Sequence, residues 1–209
     1  MIAIIDYGMG NLHSVSKAVE RLGYEYEIVD SKELLLQAEG AILPGVGAYG
    51  DAMRNLREQG FVEAIREFAD SGRPLFGICL GMQLLFSQSE EHGQHEGLGI
   101  FPGTVRRFQG DYKIPHMGWN RLKFLQPNSP LVKDVEEGYA YFVHSYFLQP
   151  ETADRDTLIA TADYFQEVPA IIGRKNVFAT QFHPEKSGDV GMKLLDNFAK
   201  MVKEGVKHG

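Results

Sequence analysis

The sequence predicts an α/β fold: a mixed, mostly parallel central sheet flanked by helices, with additional antiparallel strands in the second half. Three observations lead there. Apolar, β-rich runs lie at 1–6 "MIAIID", 26–30 "YEIVD", 40–44 "GAILP" and 74–79 "PLFGIC", none strictly alternating, as expected of strands buried on both faces. Helix-like segments at 11–22, 48–58 and 60–71 fall between those runs, which is what a parallel sheet with crossover helices requires. From 97 to 182 the runs shorten to "TVRRF", "WNRLKFL", "AYFVHSYFL", "TLIATADY" and "PAIIGRKNVFATQF", separated by Gly, Pro and Asn in the manner of antiparallel strands and hairpins. The stretch 188–204 then carries Leu194, Leu195, Phe198, Met201 and Val202 at helical spacing and predicts a helix that closes the sheet.

Composition narrows the function. A chain of 209 residues, 44% hydrophobic and without a Pro/Ser-rich linker, fits one compact domain over 1–209. Its net charge of −7 and the lack of a dense Lys/Arg block argue against nucleic acid as a partner. The first residues have no basic region followed by a long apolar stretch, and no segment reaches the ~18 apolar residues of a membrane helix. The expectation is a soluble, cytoplasmic protein with no membrane partner. Cys79 is the single cysteine, so neither an internal disulfide nor a thiolate-rich metal site is expected.

That cysteine sits in Gly77-Ile78-Cys79-Leu80-Gly81, the G-x-nucleophile-x-G form of a strand–turn–helix elbow. A helix start beneath the sulfur would favour thiolate. On spacing alone Cys79 fits a small buried core residue equally well. A nucleophilic thiol needs a base and an orienting carboxylate, and "ATQFHPEKS" offers His183 and Glu185 for those parts. The early loop "LPGVGAYG" adds Gly45, Val46 and Gly47 in a turn with backbone freedom.

With these motifs in the order G-x-C-x-G, then H-P-E, the chain resembles the triad-type class I glutamine amidotransferases. The resemblance implies a single amidotransferase domain in which Cys79, His183 and Glu185 hydrolyse L-glutamine through a thioester. In that family the P-G-x-G turn supplies N–H groups to the oxyanion, which assigns Gly45, Val46 and Gly47. Gln83, one helical turn after Cys79, could reach the bound glutamine. Resemblance adds Glu91 for the amino acid portion of the substrate, and Ser145 and Tyr146 for its carboxylate.

The stretches "IDYGMGNLHSV", "LPGVGAYGDAM", "GICLGMQLLF", "PHMGWN", "YFVHSY" and "QFHPEKS" are similar to the branch of the family that serves histidine biosynthesis. Its glutaminase subunits pass ammonia to a separate (β/α)₈-barrel cyclase in a heterodimer. Asn11, Trp119 and Lys186 fall in motifs that lie toward the barrel there. The alternatives are a glutaminase for another synthase, a catalytically silent module of the same fold, and a cysteine hydrolase of dienelactone type. Gly8-x-Gly10 with Asp30 imitates a dinucleotide fingerprint, but His13 stands where the third glycine belongs. Glu90, Glu91, His92, His95 and Glu96 read as loop polarity rather than metal ligands, so no cofactor and no metal is expected.

Overall fold

Alternate residues of the first strand divide between two cores, which is why the run lacks an apolar/polar alternation. In the computed structural model, which describes residues 1–205, Ile2 and Ile4 of β1 (Ile2–Ile5) pack on one side and Ala3 and Ile5 on the other. The chain continues through α1 (Leu12–Arg21), β2 (Tyr26–Val29), α2 (Lys32–Leu36), β3 (Gly40–Leu43), α3 (Tyr49–Glu58), α4 (Phe61–Asp70), β4 (Leu75–Ile78) and α5 (Leu80–Leu84). Two features depart from the sequence expectation. The five residues of α2 are too few to show a periodicity, and the helix starts where the Ser31 hydroxyl accepts from the N–H of Leu34 at 3.3 Å. The strand β2 is the outermost of its sheet, so Glu27 and Ile28 are exposed rather than buried on both faces.

The insert 88–97 "QSEEHGQHEG", which holds the Glu and His residues read as loop polarity, forms a small hairpin of β5 (Gln88–Ser89) and β6 (His95–Glu96). There follow β7 (Thr104–Arg107), β8 (His116–Arg121), β9 (Lys123–Phe124), β10 (Tyr139–His144), β11 (Tyr146–Leu148), β12 (Leu158–Asp163), β13 (Glu167–Arg174), β14 (Val177–Thr180) and α6 (Gly188–Glu204). The main sheet runs β2-β1-β3-β4-β14-β13-β12-β9. Its first five strands are parallel; β13, β12 and β9 add to it antiparallel. The run at 169–182 therefore holds a hairpin whose second strand, β14, joins the parallel part beside β4. The region 97–182 is not wholly antiparallel, since β5 also pairs parallel with β7. The helix α6 lies with α1 over one face of the sheet, with Phe198 against Phe76 at a ring distance of 5.1 Å, while α3 and α4 cover the other. Among the described residues no helix is long and apolar enough to cross a membrane.

A two-stranded ribbon of β8 and β10 stands beside this sheet, with His116 opposite His144. His116 is sandwiched between the rings of Phe142 and Tyr164, at 4.6 and 4.2 Å. Burial lowers its pKa to about 4; burial, aided by the neighbouring His116 and His183, lowers that of His144 to about 3. Both are neutral at pH 7, whereas in the unfolded chain both take up protons below about pH 6.5. The unfolded state thus binds more protons between about pH 4 and 6.5, and stability falls as pH falls through that window. Denaturant unfolding at about pH 7 and about pH 5 should differ by on the order of 3 kcal/mol. Equal midpoints would show that the pair does not resist protonation.

Candidate active site

The parallel strands end together on one edge of the sheet, and ligands of open α/β sheets bind outside the carboxyl ends of such strands. The loop after β1 holds Asn11, the loop after β3 holds residues 45–47, the turn after β4 holds Cys79, and the turn after β14 holds His183. The last three of these segments, distant in sequence, line one cleft of about 410 Å³ with Val46, Gly47, Cys79, Gln83, Glu91, Ser145, Tyr146 and His183 in its walls.

Cys79 sits at the elbow between β4 and α5 with φ 56° and ψ −112°, a backbone conformation that side-chain-bearing residues rarely adopt. Its N–H donates to the carbonyl of Thr180 at 2.9 Å, which ties the elbow to β14. The elbow can form because α5 presses against the end of β3: a Cβ on Gly81 would lie 1.9 Å from the carbonyl oxygen of Leu43. The thiol is only 7% exposed, so it is a buried residue and a cleft residue at once.

His183 hydrogen-bonds to Cys79 and, through Nδ1, to the Oε1 of Glu185 at 2.8 Å. A carboxylate at Nδ1 holds the proton there and turns Nε2 toward the sulfur. Burial alone would lower the pKa of His183, but the hydrogen bonds and charges of Cys79 and Glu185 outweigh it and raise it to about 9. The Glu185 side chain is 1% exposed, and its Oε2 is buried without a hydrogen-bond partner. The loop after β3 is held from behind by the buried Tyr7, whose hydroxyl donates to the carbonyl of Pro44 at 2.7 Å. Desolvation and the nearby Cys79 raise the Tyr7 pKa well beyond the ordinary tyrosine range, so it stays a donor.

The remaining sequence-predicted residues fall in three groups. Glu91 reaches out of the β5–β6 insert and accepts from the N–H of Tyr49 at 3.3 Å, capping α3, whose own N-cap residue is Ala48. Burial raises its pKa, partly offset by that N–H and by His92 and His95. Gln83 lines the cleft, but its amide nitrogen donates into the wall, to the carbonyl of Tyr146 at 3.0 Å and to the Oε1 of Gln181 at 3.1 Å. Ser145 and Tyr146 border the same cleft. Asn11 caps α1 by accepting from the N–H of Ser14 at 3.2 Å, Trp119 is 58% exposed, and Lys186 is exposed in the turn after His183. Trp119 pairs with Tyr141 of β10, whose N–H donates to the hydroxyl of Ser187, the residue after Lys186. Of the insert's other polar groups, Glu90 pairs with Arg106 and His95 packs against Gly50. Among the described residues no three metal-ligating side chains come together.

Sequence reasoning missed Tyr7, His116, His144 and Gln181. The motifs containing the histidines and Gln181 were visible; their partners lie on other strands.

A strained, buried thiol joined to an imidazole and a carboxylate is equipped for nucleophilic acyl transfer. The chain belongs to the class-I glutamine amidotransferases: the family described as "Glutamine amidotransferase class-I" matches residues 3–202. Among its relatives is imidazole glycerol phosphate synthase subunit HisH of Halalkalibacterium halodurans, 55% identical over 99% of each chain. The same subunit of Bacillus subtilis is 51% identical over 98% of each. Within the family the chain is thus of the HisH kind, a glutaminase subunit of histidine biosynthesis. A solved glutamine amidotransferase superposes with a TM-score of 0.77 over 97% of this chain and all of that one, at 20% identity, and shows the shared fold.

Proposed function

We propose that residues 1–209 form one cytoplasmic glutaminase domain that hydrolyses L-glutamine at Cys79 and delivers the ammonia to a (β/α)₈-barrel cyclase subunit. The observation that carries this is that Cys79 and His183 line one cleft, with Glu185 buried behind them at 2.8 Å from His183 Nδ1. The Cys79 thiolate attacks the side-chain amide carbon, and the carbonyl π electrons move to oxygen. N–H groups of the Gly45-Val46-Gly47 loop stabilise that oxyanion. As the C–N bond breaks, Nε2–H of His183 protonates the departing ammonia and leaves a glutamyl thioester. His183 then takes a proton from water, the hydroxyl adds to the thioester, and glutamate leaves as the C–S bond breaks and thiolate returns. Glu185 stabilises the imidazolium at each transfer.

Glu91, already on the rim, offers its carboxylate to the substrate ammonium, while Ser145 and Tyr146 receive its carboxylate group. The exposed Asn11, Trp119 and Lys186 face the cyclase in a heterodimer, in which the ammonia converts PRFAR into imidazole glycerol phosphate and AICAR. Glutamate release should be measured with the chain alone, with the cyclase, and with cyclase plus its nucleotide substrate. Release is expected in the complex, together with glutamine-dependent product. No release in any of the three would overturn the reading.

A further inference from the structure

We infer that Gln181 is a further catalytic residue: its side-chain N–H donates to the Cys79 sulfur, and Gln83 holds it in the donating orientation. The inference rests on the glutaminase reading above. Gln181 is fully buried at the end of β14, its backbone N–H bonded to the carbonyl of Ala170 at 2.9 Å, and its Nε2 stands 3.8 Å from the sulfur. That distance is within the longer hydrogen-bond range of sulfur acceptors.

The direction of the amide is fixed by its surroundings. The carbonyl oxygen of Tyr146 can only accept, so the Gln83 group facing it at 3.0 Å is the NH₂. The second hydrogen of that NH₂ goes to Gln181 at 3.1 Å, so the Gln181 atom facing Gln83 is its oxygen. Its nitrogen is left pointing at Cys79. The opposite flip of Gln83 would set oxygen against oxygen at Tyr146, and that of Gln181 would set its carbonyl against the thiolate.

The Tyr146 carbonyl is itself held by a one-way chain. His144 Nδ1 lies 2.8 Å from it and must carry a proton, so His144 Nε2 accepts. His116 Nδ1, 2.9 Å away, therefore donates, and its Nε2 accepts from the Asn120 amide at 3.1 Å. An N–H donor gains little from a neutral thiol and much more from a thiolate. Gln181 thus favours the form of Cys79 that attacks glutamine and that leaves again from the thioester.

The titratable groups facing the sulfur are His183 and Tyr7, with Glu185 acting on His183 and His183 in turn on His144. Gln181→Leu changes none of them. Because Cys79 is the single cysteine, alkylation of the full chain by iodoacetamide at a series of pH values reads this thiol alone. In Gln181→Leu the pH of half-maximal alkylation rate should rise by about one unit, and kcat for glutamate release in the complex should fall about tenfold with little change in KM. Gln83→Leu should move the alkylation profile the same way, and it carries the test if Gln181→Leu lacks a cooperative unfolding transition. A wild-type alkylation profile in a folded Gln181→Leu or Gln83→Leu chain would overturn the donor role and leave the glutaminase reading standing. Loss of glutamate release in the wild-type complex would overturn that reading instead, whatever the alkylation profile shows.

Discussion

Replacing Cys79 by alanine is expected to lower glutamine-dependent glutamate release by about 10⁶-fold, the scale on which loss of a covalent nucleophile is felt. His183 and Glu185 would remain, but with no thiolate to attack, water alone must reach the amide carbon. Synthesis from added ammonium salts by the complex should persist, because the sulfur holds little of the fold in place: besides His183, the hydrogen-bond partner it has among the described residues is Gln181, at the long distance of 3.8 Å. The same site makes a second, opposite demand. With φ at 56°, Cys79 holds a conformation that glycine adopts freely, so Cys79→Gly should be more stable than Cys79→Ala by about 1 kcal/mol. Glutamate assays on the purified complex and denaturant midpoints of the two variants test both arms. Appreciable glutaminase activity in Cys79→Ala would sink the thioester route.

Glu185→Gln should cost glutamate release on the order of 10⁴-fold while leaving the chain folded. The carboxylate sits 2.8 Å from Nδ1 of His183 and is shielded from water, so its charge acts on the ring at short range. An amide in its place can meet Nδ1 in two ways. With its NH₂ toward the ring it forces the proton onto Nε2, and His183 can no longer accept from Cys79. With its oxygen toward the ring it keeps the tautomer, loses the charge, and buries an NH₂ where Oε2 already has no partner. Either way the raised pKa of His183 should fall. His183, protonated in the fold up to about pH 9, contributes stability that is complete below about pH 6.5 and lost as pH rises toward 9. In Glu185→Gln the alkaline loss should therefore still begin near pH 6.5 but be smaller and end at lower pH. Denaturant unfolding across pH 6 to 10, beside kcat, reads this; an unchanged stability profile would show that Glu185 does not hold the charge on the ring.

The parts of this protein written locally could be read from the chain. The strands β1, β3 and β4 are short, apolar and buried on two sides, and α1, α3 and α4 between them carry an apolar face. Cys79 and His183 were also legible, because a reactive side chain flanked by Gly or Pro at a strand end is a local pattern. What was not legible depends on partners far along the chain. Gln181 looks like one polar residue closing a strand, and its role appears only when Gln83, 98 residues earlier, turns its amide toward it. His116 and His144 meet through the register of β8 and β10, which two separate motifs do not state. Glu91 caps α3 because Ala48 cannot, and nothing in the insert indicates which helix needs a cap. The exposure of β2 follows from its place in the strand order, a property of the assembled sheet.

The contact between α5 and the end of β3 restricts how this site can change state. The backbone of Gly81 lies against the carbonyl of Leu43, and a Cβ on Gly45 would lie 3.0 Å from the nitrogen of Gly81 and 2.7 Å from the Tyr7 hydroxyl. Neither backbone can slide past the other without collision, so the Cys79 elbow and the start of the loop after β3 share translational degrees of freedom. Rotation remains: Gly47, at φ 106°, and the exposed Val46 lie beyond the clamped part, where a peptide plane can turn about its own axis without displacing Cys79. A rearrangement of this loop would therefore be torsional, confined to one or two dihedral angles, and spectroscopy of the Val46 and Gly47 amides would register it while interatomic distances across the clamp stay constant.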